Sequence, residues 1–411
     1  MAIENIPVWT IEPNWSESVV EALEWLTSIL SSPTGAEQRR CLRLYPRKTI
    51  EYDIVVAEEE RSAAEQQVAR FGAINFYLPI WFESYTLSVD APSGATSLNV
   101  PSASNGGIKA GDILFLGSLS DVTDFELVEV AGVTGSTVTL VSAIETDWPA
   151  FIKVHPVRKA RFAEQPTFQM RTDRMASASL TFMVMQPNED ALALDTDIDA
   201  FDAYEGSLIF TLEPETSQRL ERGAERLIET FDNQVSIPVY RDTAGIPFFT
   251  QQFRWVCQGR GEYADLIALL YALAGRFTNC WLPSYNDDLM LTADISGLLP
   301  LMQVKNFGFT DSGGISEGRT HICIFKNDGT RIYRRITASA VLSGGDEFIA
   351  FDSLISGGLT KESVLRISFM QLSRLDQDRI EISHETDTEG LSVCVANFRA
   401  APNLRQVAAG F

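Results

Sequence analysis

Two pairs of closely spaced carboxylates come nearest to a catalytic pattern: Asp287 with Asp288, and Asp376 with Asp378. Two acids flanking a glycosidic bond can cleave it, one protonating the leaving oxygen and the other activating water or attacking directly. The chain carries a net charge of −22, so neighbouring acids are also expected in ordinary loops. A polysaccharide-degrading role on Asp287 or Asp376 is therefore the weakest of the functional readings. The three histidines, His155, His321 and His384, stand far apart, and none forms a helical pair of the zinc-protease type. Each reads as a strand residue.

The remaining chemical motifs fail on spacing. Five cysteines, Cys41, Cys257, Cys280, Cys323 and Cys394, show no metal-ligand spacing and are odd in number, so reduced structural thiols are expected. Asp195, Asp197 and Asp199 resemble the start of a calcium loop, but its sixth and twelfth positions hold Ala200 and Gly206 in place of Gly and Glu. Gly357-Gly358-Leu-Thr-Lys361 lacks the glycine a phosphate loop needs before its lysine. The sequence therefore predicts no catalytic residue, no cofactor and no metal. Arg39, Arg40, Arg43, Arg47 and Lys48 form a basic patch, suited to a phosphate or an acidic partner. Leu42 and Leu44, then Ile50, Tyr52 and Ile54, alternate with polar residues through it, which favours the solvated face of a strand. The acidic balance argues against a protein that coats nucleic acid, whose footprint is basic.

The elements that would position these residues recur. Trp9-Thr-Ile-Glu-Pro13 matches Phe210-Thr-Leu-Glu-Pro214, and Tyr77-Leu78-Pro79 matches Trp281-Leu282-Pro283. Gly106-Gly107-Ile108 and Gly111 match Gly313-Gly314-Ile315 and Gly318; Phe125–Val130 matches Arg331–Ile336. Arg161-Phe162 matches Arg374-Leu375, and Thr172-Asp173 matches Thr386-Asp387. The offset grows in small steps, as loop insertions would produce. The expectation is a tandem duplication of a unit of about 200 residues, a length that suits one domain.

Within each copy we expect a mainly β, α+β fold: two helices packed on strands, plus a small β-barrel or sandwich. Residues 14–30 read as an amphipathic helix capped by Asn14, with Val19, Leu23, Leu26 and Leu30 on one face. A second helix is expected over 62–71. Helices are likewise expected over Ser217–Phe231 and Ala264–Ala274. Regular short strands punctuated by Gly, Asp and Ser follow each helical part. The first copy spans 1–190 (1–90 helix and strand, 91–190 barrel-like). An acidic linker covers 191–205. The second copy spans 206–398 (206–295 and 296–398), and 399–411 form a tail. The dispersed tryptophans, among them Trp9, Trp15, Trp25, Trp255 and Trp281, read as core anchors. No signal peptide or membrane-spanning run is visible.

Gly35-Ala-Glu-Gln-Arg39-Arg40, Tyr45-Pro46-Arg47, Leu78-Pro79 opening a strand, and Arg374-Leu-Asp376-Gln-Asp378-Arg379-Ile-Glu-Ile-Ser-His384 together resemble tail-tip proteins of long-tailed bacteriophages. The resemblance covers nearly the whole chain and carries no catalytic residue. It implies a non-enzymatic distal tail or baseplate hub protein, made in the host bacterial cytoplasm and residing in the virion tail. Its partners would be copies of itself in a ring, the tail tube, other tail-tip proteins, and DNA passing through the lumen without specific binding. Two similar halves per chain let three copies offer six positions, so a trimer is favoured over a hexamer as a six-fold to three-fold adaptor. The alternatives are a host-binding adhesin and the polysaccharide-degrading enzyme.

Overall fold

A computed structural model of the chain describes residues 3–401 except 5, 102, 104–106, 119–120, 186–200, 216, 218–220 and 388–389. Strand accounts for 48% and helix for 9%, so the mainly β expectation holds. The first half runs β1 (Val19–Ser31), β2 (Glu37–Ala57), α1 (Glu58–Phe71), β3 (Phe76–Pro79), β4 (Tyr85–Thr86) and β5 (Ser97–Asn99). It continues through β6 (Ile113–Ser118), β7 (Asp121–Thr134), β8 (Thr137–Leu140), β9 (Lys153–Phe162), β10 (Gln169–Met170) and β11 (Met175–Val184). The second half runs β12 (Ala203–Tyr204), β13 (Ser207–Ile209), β14 (Arg222–Glu225), β15 (Ile228–Phe231), β16 (Val239–Asp242), β17 (Phe248–Gln258) and α2 (Arg260–Leu273). Then come β18 (Cys280–Pro283), β19 (Leu301–Val304), β20 (His321–Lys326), β21 (Arg331–Val341), β22 (Glu347–Phe351), β23 (Val364–Leu375), β24 (Arg379–His384) and β25 (Leu391–Ala400).

The pairings of the two halves correspond. β6 pairs with β7 and β9, β7 with β8, and β8 with β5. In the second half β20 pairs with β21 and β23, β21 with β22, and β22 with β19. Both long hairpins slip register at the same place, between Val130 and Gly132 and between Ile336 and Ala338. β9 pairs with β11 and β11 with β2; β23 pairs with β25 and β25 with β17. Val8 bridges Tyr77 in parallel, as β13 pairs in parallel with β18 at Trp281. One helix follows β2 and one follows β17.

Residues 14–30 are not a helix. Val19, Glu21, Leu23, Trp25 and Thr27 are all buried and recur at every second position, the period of a strand. Leu26 and Leu30, assigned above to the same helical face as Leu23, lie 42% and 71% exposed on the opposite side of the sheet. β-branched Val19, Val20, Thr27 and Ile29 add to the strand preference. Asn14 caps no helix: its backbone N–H donates to the Asp53 carbonyl. The described part of Ser217–Phe231 is likewise β14 and β15, with Ala224 and Phe231 exposed. Each half therefore has one α-helix among the described residues, where two were expected. The helices expected over 62–71 and 264–274 are present, each starting earlier than the sequence suggested.

Four apolar cores follow from this arrangement. Tyr52, Ile54, Phe76, Phe162 and Phe182 centre one under α1; Leu98, Leu114, Val138 and Trp148 fill the compact β part beyond it. In the second half Met302, Ile324, Ile349 and Phe351 form the matching β core. The core under α2 contains Phe253, Trp255, Leu270 and Phe398, and it also takes in Leu23 and Trp25 from β1. Burying two such side chains across the boundary contributes roughly 1.5–3 kcal/mol each.

Candidate functional site

Followed strand by strand, β10, β11, β2, β1, β24, β25, β17 and β14 form one continuous antiparallel run. Four strands come from each half, and the splice is β1 against β24. Val19 to Glu24 face His384 to Arg379 in unbroken register. β15 and β16 extend the β14–β17 hairpin, as the distal parts of β1 and β2 extend theirs.

The splice is built from charged groups that each have at least one partner in the other half. Glu21 is fully buried. Its carboxylate lies 2.5 Å from the Lys48 ammonium, accepts from the Tyr263 hydroxyl, and sits 3.1 Å from His384 Nε2. Burial works to raise this carboxyl, but Lys48 and His384 outweigh it and hold it well below the usual carboxylate range. His384 Nδ1 lies 2.9 Å from Ser392 Oγ, and its ring stacks on Phe82 at 3.8 Å between centroids. In a neutral ring, Nε2 donating to the carboxylate leaves Nδ1 to accept from the Ser392 hydroxyl. Arg374 makes a two-pronged contact with Glu37 at 2.8 and 2.9 Å.

Asp378, one of the candidate acids, belongs to this splice. It accepts from the Thr27 N–H and hydroxyl, each at 2.9 Å, and from the backbone and side chain of Arg276. These donors hold its carboxyl below the ordinary range although burial opposes them. Asp376 contacts Arg374 at 3.1 Å. Asp288 accepts from the Ser284 hydroxyl and from Phe369 N–H, and Asp287 lies 3.4 Å from Ile367 N. These contacts tie the four carboxylates to backbone and neighbouring side chains in two separate places.

The basic patch divides in the same way. Arg39 donates to the Arg276 and Phe277 carbonyls just past the end of α2, and to Asn279 at 2.6 Å. Arg43 donates to the Glu24 carbonyl, Lys48 serves Glu21, and Arg40 and Arg47 are exposed. Three members thus hold the hairpin and the two halves together, so the patch is not simply a solvated strand face.

No family model matches this chain, and no curated protein does. The functional reading rests on the geometry itself.

His155 and His321 are buried strand residues packed on Trp81 and Trp281, and burial pushes their imidazoles down to about 3 and about 4. Cys257, Cys280, Cys323 and Cys394 are buried, and burial raises their thiols. Among the described residues no group of His, Cys, Asp and Glu is arranged to hold a metal ion. Asp195, Asp197 and Asp199, and residues 191–200 of the expected linker, lie outside the described residues, as do 402–411 of the tail; Arg399 and Ala400 finish β25. Among the described residues no helix is long and apolar enough to cross a membrane.

Two surfaces complete the description. The face of the eight-strand run turned away from the helices carries Thr49, Glu51, Asp53, Ser177, Ser179, Thr181 and Glu381 with Arg47 and Arg379, and, on β17 and β25, Gln252, Arg254, Val393, Val395, Asn397 and Arg399. The run also has two open ends. Among the described residues β10 pairs only with β11, and β14 only with β17. Sequence reasoning missed Glu21 and the splice altogether, because the helix assigned over 14–30 hid the strand that makes it.

Proposed function

We propose that the chain is a non-enzymatic ring component of a phage tail tip, duplicated from one ancestral module so that three copies fill six equivalent positions around a channel. The match of strand pairings between the halves, down to the shared register slip in β7 and β21, is the observation that carries this reading. Two unrelated halves sharing generic strand grammar would not reproduce a local irregularity of this kind. Such irregularities mark a particular backbone rather than a composition.

A ring needs a contact between unlike surfaces that repeats until it closes. Each chain already contains one contact between its two halves, the β1–β24 splice. Repetition of equivalent contacts around an axis turns the eight-strand run into a segment of a closed wall. The helix-free face then lines the lumen with small hydroxyls and with the carboxylates Glu51, Asp53 and Glu381, which repel phosphate. Arg47, Arg254, Arg379 and Arg399 make that wall mixed rather than uniformly acidic. Passing DNA is held at no specific point along such a surface.

Light scattering on the purified chain, combined with averaged electron micrographs of particles and of intact tails, tests the proposal. The expected result is three copies of 45.5 kDa in a ring with six similar lobes. A monomer at all concentrations, with no ring in assembled tails, overturns it.

A further inference from the structure

We infer that the contact between neighbouring copies is a strand junction: β14 of one chain takes the segment 165–170 of a second copy, in the register by which β1 takes β24 within the chain. This inference rests on the ring reading and names the surfaces that close it.

Equivalent positions are fixed by the pairings. Ile50 faces Glu21 and Phe182, while Gln251 faces Arg222 and Phe398. Glu21 is therefore equivalent to Arg222, and Glu24 to Glu225. The hairpin extensions keep the same correspondence: Thr27 faces Cys41 as Ile228 faces Asp242, and Leu30 faces Gln38 as Phe231 faces Val239. At the opposite end, Gln169 pairs with Ser177 as Ser383 pairs with Val393, so 165–170 are equivalent to 379–384. Phe168 is packed against the first-half core, as Ile382 is in the second. Within the chain, Glu21 opposes Ile382 and Glu24 opposes Arg379. Transferred to two copies, Arg222 opposes Phe168, and Glu225 opposes Gln165.

The two edges suit this use. All four residues of β14 are exposed, as are Glu164, Gln165, Thr167, Gln169 and Met170. An open edge presents unpaired N–H and C=O groups, a template for another strand. Pro166 falls opposite Ala224 and removes one rung of the ladder. Beyond the ladder, the hairpin of β15 and β16 projects Ile228, Phe231, Val235, Ile237, Val239 and Tyr240, all more than half exposed. Tyr240 is equivalent to Arg39, which within the chain sits on the turn after α2 at Arg276. The corresponding turn after α1 carries exposed Ile74. The internal splice is thus charged where the outer one is apolar. A free β14 hairpin therefore matches a neighbour's first half and not an already filled β24.

Paired cysteines test this. Glu225 and Gln165 correspond to Glu24 and Arg379. That pair is not hydrogen-bonded, because the Trp25 N–H to Asp378 carbonyl bond sets the alternation. Such pairs bring Cα atoms within disulfide range. The full-length chain with Glu225→Cys and Gln165→Cys, oxidised and run without reductant, is expected to give reducible multimers absent from the natural chain. Mixing the two single variants is expected to give dimers only. In parallel, Ile228→Asp is expected to abolish association in light scattering while leaving the circular-dichroism melt of the chain unchanged. A ring in solution with no cross-link above the natural chain overturns the junction and leaves the ring reading intact. A monomer at every concentration with no cross-link overturns both.

Discussion

Glu21 concentrates the cost of holding two halves together in a single carboxylate. A buried acid with an ammonium, an imidazole and a phenol around it adds little net stability, but removing it strands the partners. Glu21→Ala is expected to lower unfolding free energy by about 3–5 kcal/mol, read from urea denaturation. Asp287→Asn, by contrast, is expected to cost under about 1 kcal/mol, because its one long contact is to a backbone N–H. A second acid responds to pH in the opposite sense. Burial pushes Glu12 from its ordinary 4.5 up to about 7, with Lys153 pulling it back and Asp387 and Glu60 adding to the rise. The folded chain therefore keeps a proton that the unfolded chain releases between those values, so Glu12 weakens the fold increasingly as pH rises from 4.5 to 7. Glu12→Gln is expected to match the natural chain at pH 4.5 and to exceed it by on the order of 2 kcal/mol above pH 7, in melts across that range. Glu21, held below its ordinary value, contributes stability above that value and loses it as pH falls.

At the scale of elements, the turn after α2 shows how closely the halves approach. Gly275 has φ +67°, and a Cβ there would lie 2.5 Å from Asp378 Oδ1 and 2.8 Å from Trp25 Cβ. Gly275→Ala is expected to cost roughly 1–3 kcal/mol, from left-handed backbone strain and overpacking, with a matching loss in the melt. The same region explains what could be read in the sequence. The paired motifs at Tyr77 and Trp281, at Phe125 and Arg331, and at Arg161 and Arg374 fall at equivalent pairing positions, because β ladders preserve spacing. The strand β1 was misread because Val19, Leu23, Leu26 and Leu30 satisfy a helical period by accident. Only burial distinguishes the two faces they occupy. Asp378 was visible as an acid but not as a clasp, since Thr27 lies far off in sequence. Even so, Glu21 standing in phase with Val19, Leu23 and Trp25 was a signal available from period two alone.

At the scale of the whole molecule, the covalent link between halves is less informative than the splice. If six equivalent positions surround the axis, three of the junctions occur inside chains and three between them. A peptide bond near the internal junctions then supplies only effective concentration, typically millimolar for a short linker, and no contact of its own. Fragments 1–190 and 201–411, which keep β12 with the second half, are therefore expected, when produced together, to associate one to one through β1 and β24 and to build a ring of the same diameter. The necessary contacts are all inter-fragment: six ladder positions, the Glu37–Arg374 pair, and Trp25 and Leu23 seated under α2. Size exclusion with light scattering reads the association, and micrographs read the diameter. Glu21→Lys placed in the first fragment sets a cation among Lys48, His384 and Tyr263, and is expected to leave the fragments separate. Folded fragments that stay apart without that substitution would mean that the splice depends on tethering, and that equivalent contacts between chains are too weak to close a ring.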